Sequence, residues 1–203
     1  MDLDDPIAVA LAVAEGLRAA GIDYALYGAL ALAAYGEARE TRDADVALSR
    51  ADAATTSRML AARGFDAIVS FERLSVGGLV LSRVTLVAGA AHTGLNTVDL
   101  VEPRDLDYSE RALARALEST LRGSPIRILG PEDFVVFKVL STRDRDLDDA
   151  ASVVAGLRDD LDVALIETEV ERLAGVLQDH DVRARWEDVR RRGDPPSPLR
   201  RRR

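Results

Sequence analysis

Residues 27–48 read YGALALAAYGEARETRDADVAL. The stretch starts on the last residue of a short apolar run, Tyr24 to Tyr27, which predicts a buried strand. Gly28 then opens an alanine-rich segment, Ala29 to Ala34, that predicts a helix ending near Gly36. After a polar loop, Ala44 to Leu48 predicts the next strand, with Asp43 at its mouth and Asp45 inside it. Alternate side chains of a strand share a face, so the two carboxylates project together. Acids this close repel each other and destabilise the chain unless a cation lies between them. Magnesium takes such oxygen ligands and keeps positions open for substrate phosphates.

Two stretches further along fit the same chemistry. Asn96-Thr97-Val98-Asp99-Leu100 is an apolar strand interrupted by one acid, and an acid in such a run needs a partner. If this strand lies beside Ala44–Leu48, Asp99 becomes a third ligand. Residues 131–150 read PEDFVVFKVLSTRDRDLDDA. Phe134, Phe137 and Leu140 form the apolar side of a helix, Lys138 projects elsewhere, and Arg143 follows the helix end. Asp146 and Asp149 stand three apart at the start of the next helix, where acids are favoured. They are placed to orient Lys138 and Arg143, two cations suited to clamping a triphosphate. In the plainer reading, Asp146 caps a helix beginning at Leu147 and Thr41 caps its own loop.

Around these stretches, periodicity predicts helices over 6–20 and 51–63, then strands at Leu79–Val87 and Thr97–Val101 with a turn at Gly77-Gly78. Beyond Pro103 it predicts helices over 110–121, 131–141, 147–157, 163–177 and 182–192, with one short strand at Ile126–Leu129. The expected organisation is an α/β core over 1–105, a mostly helical lobe over 106–193 packed on it, and a disordered arginine-rich tail over 194–203.

Composition narrows the chemistry. The 203 residues include no cysteine and only two histidines, which excludes disulfides, thiolate zinc sites and a cysteine nucleophile. His92 reads as an exposed loop residue, His180 as solvated and Trp186 as a packing anchor. The net charge of −8 is uneven: residues 190–203 hold seven arginines and one aspartate, leaving a body of 20 basic and 34 acidic residues. Such a body is a poor general nucleic-acid surface. The acidic start and the lack of a long apolar run predict a cytoplasmic protein without membrane contact.

Taken together these residues resemble a known group. Gly28-Ala29, the alanine-rich helix, Arg39-Glu40-Thr41-Arg42-Asp43-Ala44-Asp45, then Pro131-Glu132-Asp133, Lys138, Arg143 and Asp146-Leu147-Asp148-Asp149 resemble the motifs of the DNA-polymerase-β-like nucleotidyltransferases, in particular the AbiEii-like type IV toxin group and related minimal nucleotidyltransferases. The resemblance covers residues 20–155. It implies an α/β (α+β) nucleotidyltransferase fold, a mixed sheet flanked by helices and followed by a mostly helical half. It further implies that Asp43, Asp45 and Asp99 hold Mg²⁺, with Mn²⁺ as the alternative, and that these three with Lys138 are catalytic. Gly28, Ala29, Arg39, Thr41, Lys138, Arg143 and Asp146 would bind an NTP. The implied acceptor is tRNA, a protein or a small molecule such as an antibiotic, and the implied partner is an antitoxin protein. One position departs from the motif: Ala29 stands where the group has glycine or serine and offers no hydroxyl to a triphosphate. That departure keeps open a non-catalytic module acting through a partner protein, beside an antibiotic-modifying enzyme.

Overall fold

The computed structural model describes residues 2–35, 38–50, 52–88 and 93–193. Gly36, His92 and the 194–203 tail lie outside them. Seven strands among the described residues form one mixed sheet: β1 (Tyr24–Tyr27), β2 (Ala44–Leu48), β3 (Asp66–Val76), β4 (Leu79–Val87), β5 (Leu95–Pro103), β6 (Leu117–Leu121) and β7 (Ser124–Ile128). Their lateral order is β3-β4-β5-β2-β1-β7-β6. β2 runs parallel to β5 and antiparallel to β1. β3, β4 and β5 form an antiparallel meander, and β7 joins β1 in parallel.

The helices are α1 (Pro6–Ala19), α2 (Gly28–Leu32), α3 (Ala53–Ala61), α4 (Leu106–Ala114), α5 (Pro131–Leu140), α6 (Asp144–Leu157), α7 (Val163–Val176) and α8 (Val182–Gly193). Five of them start on an aspartate cap. Asp5, Asp52, Asp105, Asp162 and Asp181 each accept from backbone N–H groups of the first turn, which have no acceptor within the helix. A good part of the acidic composition is therefore helix chemistry.

Burial along β4 alternates: Ser82, Val84 and Leu86 are buried, while Leu81, Arg83, Thr85 and Val87 are half-buried. α3 packs on β3 and β4, and α1 packs on β1, β2 and α3. The opposite side of β1 is covered by α5, whose Phe134 and Phe137 rings lie 5.7 and 5.4 Å from the Tyr27 ring. With helices on both sides, β1 and β2 are almost wholly buried. Trp186 of α8 is buried as the packing anchor its spacing predicts. Arg192, also on α8, holds Asp144 and Asp148 of α6 at 2.6 and 2.7 Å.

Three local expectations are corrected. Residues 117–121 are a strand, not the end of a helix. Arg122 and Gly123 both have positive φ, 48° and 79°, which makes a two-residue turn of the hairpin type and pairs β6 with β7. α6 begins at Asp144 rather than Leu147, so Asp146 lies in its first turn and does not cap it. His180 is half-buried rather than solvated, with Nε2 3.1 Å from the Val139 carbonyl oxygen. No helix among the described residues is long and apolar enough to cross a membrane.

Candidate active site

The site is built on one lateral row of the sheet. Directly opposed residues on neighbouring strands point to the same face. Tyr27 opposes Asp45, Asp45 opposes Asp99, Asp99 opposes Arg83 and Arg83 opposes Phe71. Five strands thus bring one aromatic, two acids, one cation and a second aromatic into line. Asp43, one residue before β2, adds the third acid. One carboxylate oxygen from each of Asp43, Asp45 and Asp99 lies within 4.8 Å of the other two. The convergence that the Asp-x-Asp spacing and the interrupted strand predict is present.

The three acids differ in their surroundings. Thr41 Oγ1 donates to Asp43 Oδ1. Arg83 forks onto Asp99, with Nε and NH2 at 2.6 and 2.7 Å. No hydrogen bond reaches the Asp45 carboxylate among the described residues. Burial, followed by the charges of Asp43 and Asp99, pushes Asp45 up to about 7 against the pull of Lys138 and Arg143. An all-oxygen set of converging carboxylates, one of them without a counter-ion in contact, fits a hard divalent cation such as Mg²⁺ or Mn²⁺.

Gly28 explains how Asp45 fits against α2. Its φ is +66°, and a Cβ there would stand 1.9 Å from Asp45 Oδ2. The first motif therefore needs glycine for backbone conformation and for space. Gly28→Ala is expected to destabilise the fold by at least about 1–2 kcal/mol from the left-handed backbone alone, and to displace Asp45. Thermal melts with and without Mg²⁺ check this. A variant that melts like the wild type and keeps its metal response would refute the close fit. Ala29 is buried in the single turn of α2.

Beside the acids opens a cleft of about 640 Å³ lined by Arg39, Arg42, Lys138, Arg143 and Arg145 as well as Asp43 and Asp45. Lys138 is buried on α5, its Nζ 2.6 Å from Asp146 and 2.9 Å from Asp149. The ammonium also lies 4.9 Å from the Tyr27 ring centroid and 5.4 Å from that of Phe134. Arg143 Nε reaches Asp146 at 2.9 Å, and Ser141 Oγ also bonds that carboxylate. Burial pushes Asp146 up, but Lys138, Ser141 and Arg143 together outweigh it and hold it below the ordinary carboxylate range. Arg39 forks onto Asp149 at 3.2 and 3.1 Å. The pair Asp146 and Asp149 thus holds the cations at the mouth of the cleft.

The pattern of the chain as a whole decides the assignment. A family described as "nucleotidyl transferase of unknown function" matches residues 8–186. The chain belongs to this nucleotidyl transferase family. Two solved structures share the nucleotidyltransferase fold with it. One is an antigenic nucleotidyltransferase-like protein from Paracoccidioides brasiliensis, with 18% identity, a TM-score of 0.51, and coverage of 92% of this chain and 93% of that one. The other is the antibiotic-resistance factor ANT(2'')-Ia, with 13% identity, a TM-score of 0.53, and coverage of 84% and 94%. Comparison with curated protein sequences gave no match.

Two residues of this candidate site escape a reading of the sequence. Tyr27 is buried, with a hydroxyl that finds no partner among the described residues, and it packs between Lys138 and the acids. Its only sequence signal is its place before Gly28. Arg83 is the one charge in β4, but what sets it opposite Asp99 is the register of β4 on β5, which neither strand states alone.

Proposed function

We propose that this protein transfers a nucleoside monophosphate from an NTP to an acceptor hydroxyl. The observation that carries the reading is the three-acid cluster opening onto a cleft lined by Arg39, Arg42, Lys138, Arg143 and Arg145. Acids suit the metal and cations suit the phosphates, and the two sets are adjacent. Asp43, Asp45 and Asp99 would hold the divalent ions, which when bound stabilise charge at the α-phosphate. Lys138 and Arg143 meet the β- and γ-phosphates. Lys138 has three N–H donors and the two aspartates account for two of them. Arg39 and Thr41 form the rim, with Thr41 fixing the Asp43 carboxylate. Asp99 receives the proton of the acceptor hydroxyl at a carboxylate oxygen. The acceptor oxygen then bonds the α-phosphorus as the bond to the bridging oxygen breaks. Pyrophosphate leaves against Lys138 and Arg143, which neutralise its charge.

The acceptor belongs to the same proposal: a tRNA end, a protein side chain or an antibiotic, with a toxin role and an antitoxin partner following from the AbiEii-like motifs. The deciding experiment incubates the protein with each radiolabelled NTP and Mg²⁺ against tRNA, protein and aminoglycoside acceptors. Transfer of label is expected in the wild type and absent in the Asp43→Asn, Asp45→Asn protein. Ala29 favours a second reading, a nucleotide-binding module without turnover. Saturable NTP binding with no labelled product on any acceptor, and no pyrophosphate released, would decide for it.

A further inference from the structure

Resting on that reading of the site, we infer that Arg83 is a built-in competitor of the metal at Asp99, so that the third carboxylate is held in reserve until a divalent ion is already seated on Asp43 and Asp45. The three acids are unequally satisfied. Among the described residues, Asp45 has no hydrogen-bonded partner, and the Asp43 carboxylate accepts from the neighbouring Thr41 hydroxyl and no other group. Of the three, Asp99 alone is held by a cation among the described residues, through both oxygens at 2.6 and 2.7 Å. A carboxylate oxygen has two acceptor sites, so the fork occupies one on each oxygen and leaves the other. An ion approaching Asp99 then meets a guanidinium charge within a few ångströms. It must share the carboxylate at an electrostatic cost or displace the arginine.

The surroundings of Arg83 allow that displacement. Its side chain is 36% exposed while Asp99 is 14% exposed, so the cation lies on the solvent side of the pair. The guanidinium carbon is 5.6 Å from the Phe71 ring centroid, on the exposed edge strand β3. An arginine leaving Asp99 therefore has an aromatic face beside it and water beyond. Lys138 is the contrast: buried, bound to two aspartates and with nowhere to go. The site carries one fixed cation on the nucleotide side and one releasable cation on the β4 side.

The test is a titration of the full-length chain with MnCl₂ alone by calorimetry at low ionic strength and pH 7.5, paired with thermal melts in EDTA. Arg83→Gln is expected to bind Mn²⁺ about fivefold or more tightly than wild type, because a repelling charge is gone. The same variant is expected to melt lower in EDTA, because Asp99 has lost its counter-ion. These opposite signs separate competition from a merely structural role, which predicts lower stability and equal or weaker binding. Unchanged or weakened Mn²⁺ binding in Arg83→Gln overturns the inference and makes Arg83 a positioning residue that aims Asp99. If Arg83→Gln does not fold, Arg83→Lys carries the test. It keeps the charge without the fork, and its binding should tighten by a smaller factor; equal or weaker binding overturns the inference. The Asp43→Asn, Asp45→Asn protein is run alongside. If it and the wild type both lack saturable binding, the metal site itself fails; if only the Arg83 variants behave contrary to expectation, the proposed function stands without this refinement.

Discussion

Replacing Lys138 with methionine is expected to lower the unfolding free energy by roughly 3–5 kcal/mol, the usual penalty for breaking a buried ion pair from one side. The ammonium is the counter-charge of Asp146 and Asp149, all three buried. Without it, Asp146 keeps Ser141 and Arg143, and Asp149 keeps Arg39. None of these replaces a cation at 2.6 Å within the core. Methionine fills the space of the lysine stem, so the loss reports on the charge, including its contacts with the Tyr27 and Phe134 rings, and not on a cavity. Adding Asp149→Asn to the Lys138→Met protein should restore part of the stability by removing one stranded charge. Binding of NTP should weaken by about tenfold to a hundredfold, the range for losing one charge-assisted hydrogen bond. Denaturant titrations and nucleotide binding measured on the two variants check both. A Lys138→Met protein that unfolds at the wild-type midpoint, or the double variant unfolding earlier still, would contradict the role given to the pair.

The second large effect has the opposite sign. In the metal-free protein, Asp45→Asn is expected to be stabilising at neutral pH. The folded-state value of about 7 lies above the unfolded value of 3.8, because burial and the charges of Asp43 and Asp99 disfavour the ionised form. Lys138 and Arg143 face the group too and oppose the rise. The folded protein therefore holds a proton that the unfolded chain has released between about pH 4 and 7. Stability contributed by this group falls as pH climbs through that window. Asparagine does not titrate, so the variant gains on the wild type across it. The gain should be near zero at pH 4 and on the order of 2–4 kcal/mol at pH 8, the lower end reflecting the edge of Asp45 left open to the cleft. Mg²⁺ should then favour only the wild type, since an ion that binds the folded state alone stabilises it by mass action. Unfolding curves in EDTA at pH 4, 6 and 8 read the trend. A variant that is equal or weaker at pH 8 refutes it.

The order in which the residues became legible has a physical reason. Gly28, the alanine-rich turn, and the Asp43-Ala44-Asp45 strand are local in sequence. Their pattern states a backbone conformation and a shared face, and the structure keeps both. Asp99 could be joined to them because a lone acid in an apolar strand demands a partner. Arg83 could not be joined in the same way, because register between strands is fixed by pairing and not by either strand alone. The fork of Arg39 onto Asp149 spans 110 positions and leaves no periodic trace. The strand over 117–121 was hidden for another reason. Alanines up to Ala116 continue a helical pattern, and only the positive-φ pair Arg122-Gly123 reveals the hairpin. Reading Asp146 as a cap failed because α6 starts three residues earlier than its apolar face does.

The parallel pairing of β2 with β5 has a consequence in time. Asp45 and Asp99 meet only when strands separated by α3 and the whole β3–β4 hairpin have come together. Such distant contacts close late, after the loop entropy between them has been overcome. A chain still emerging from synthesis, or one that has lost its sheet, holds two acids side by side but not three. The three-acid cluster is thus a marker of completion: under the proposed function, divalent-ion affinity should appear in refolding experiments only with the last, slowest rise of native signal, and a partly made copy of this protein brings no third acid to the site.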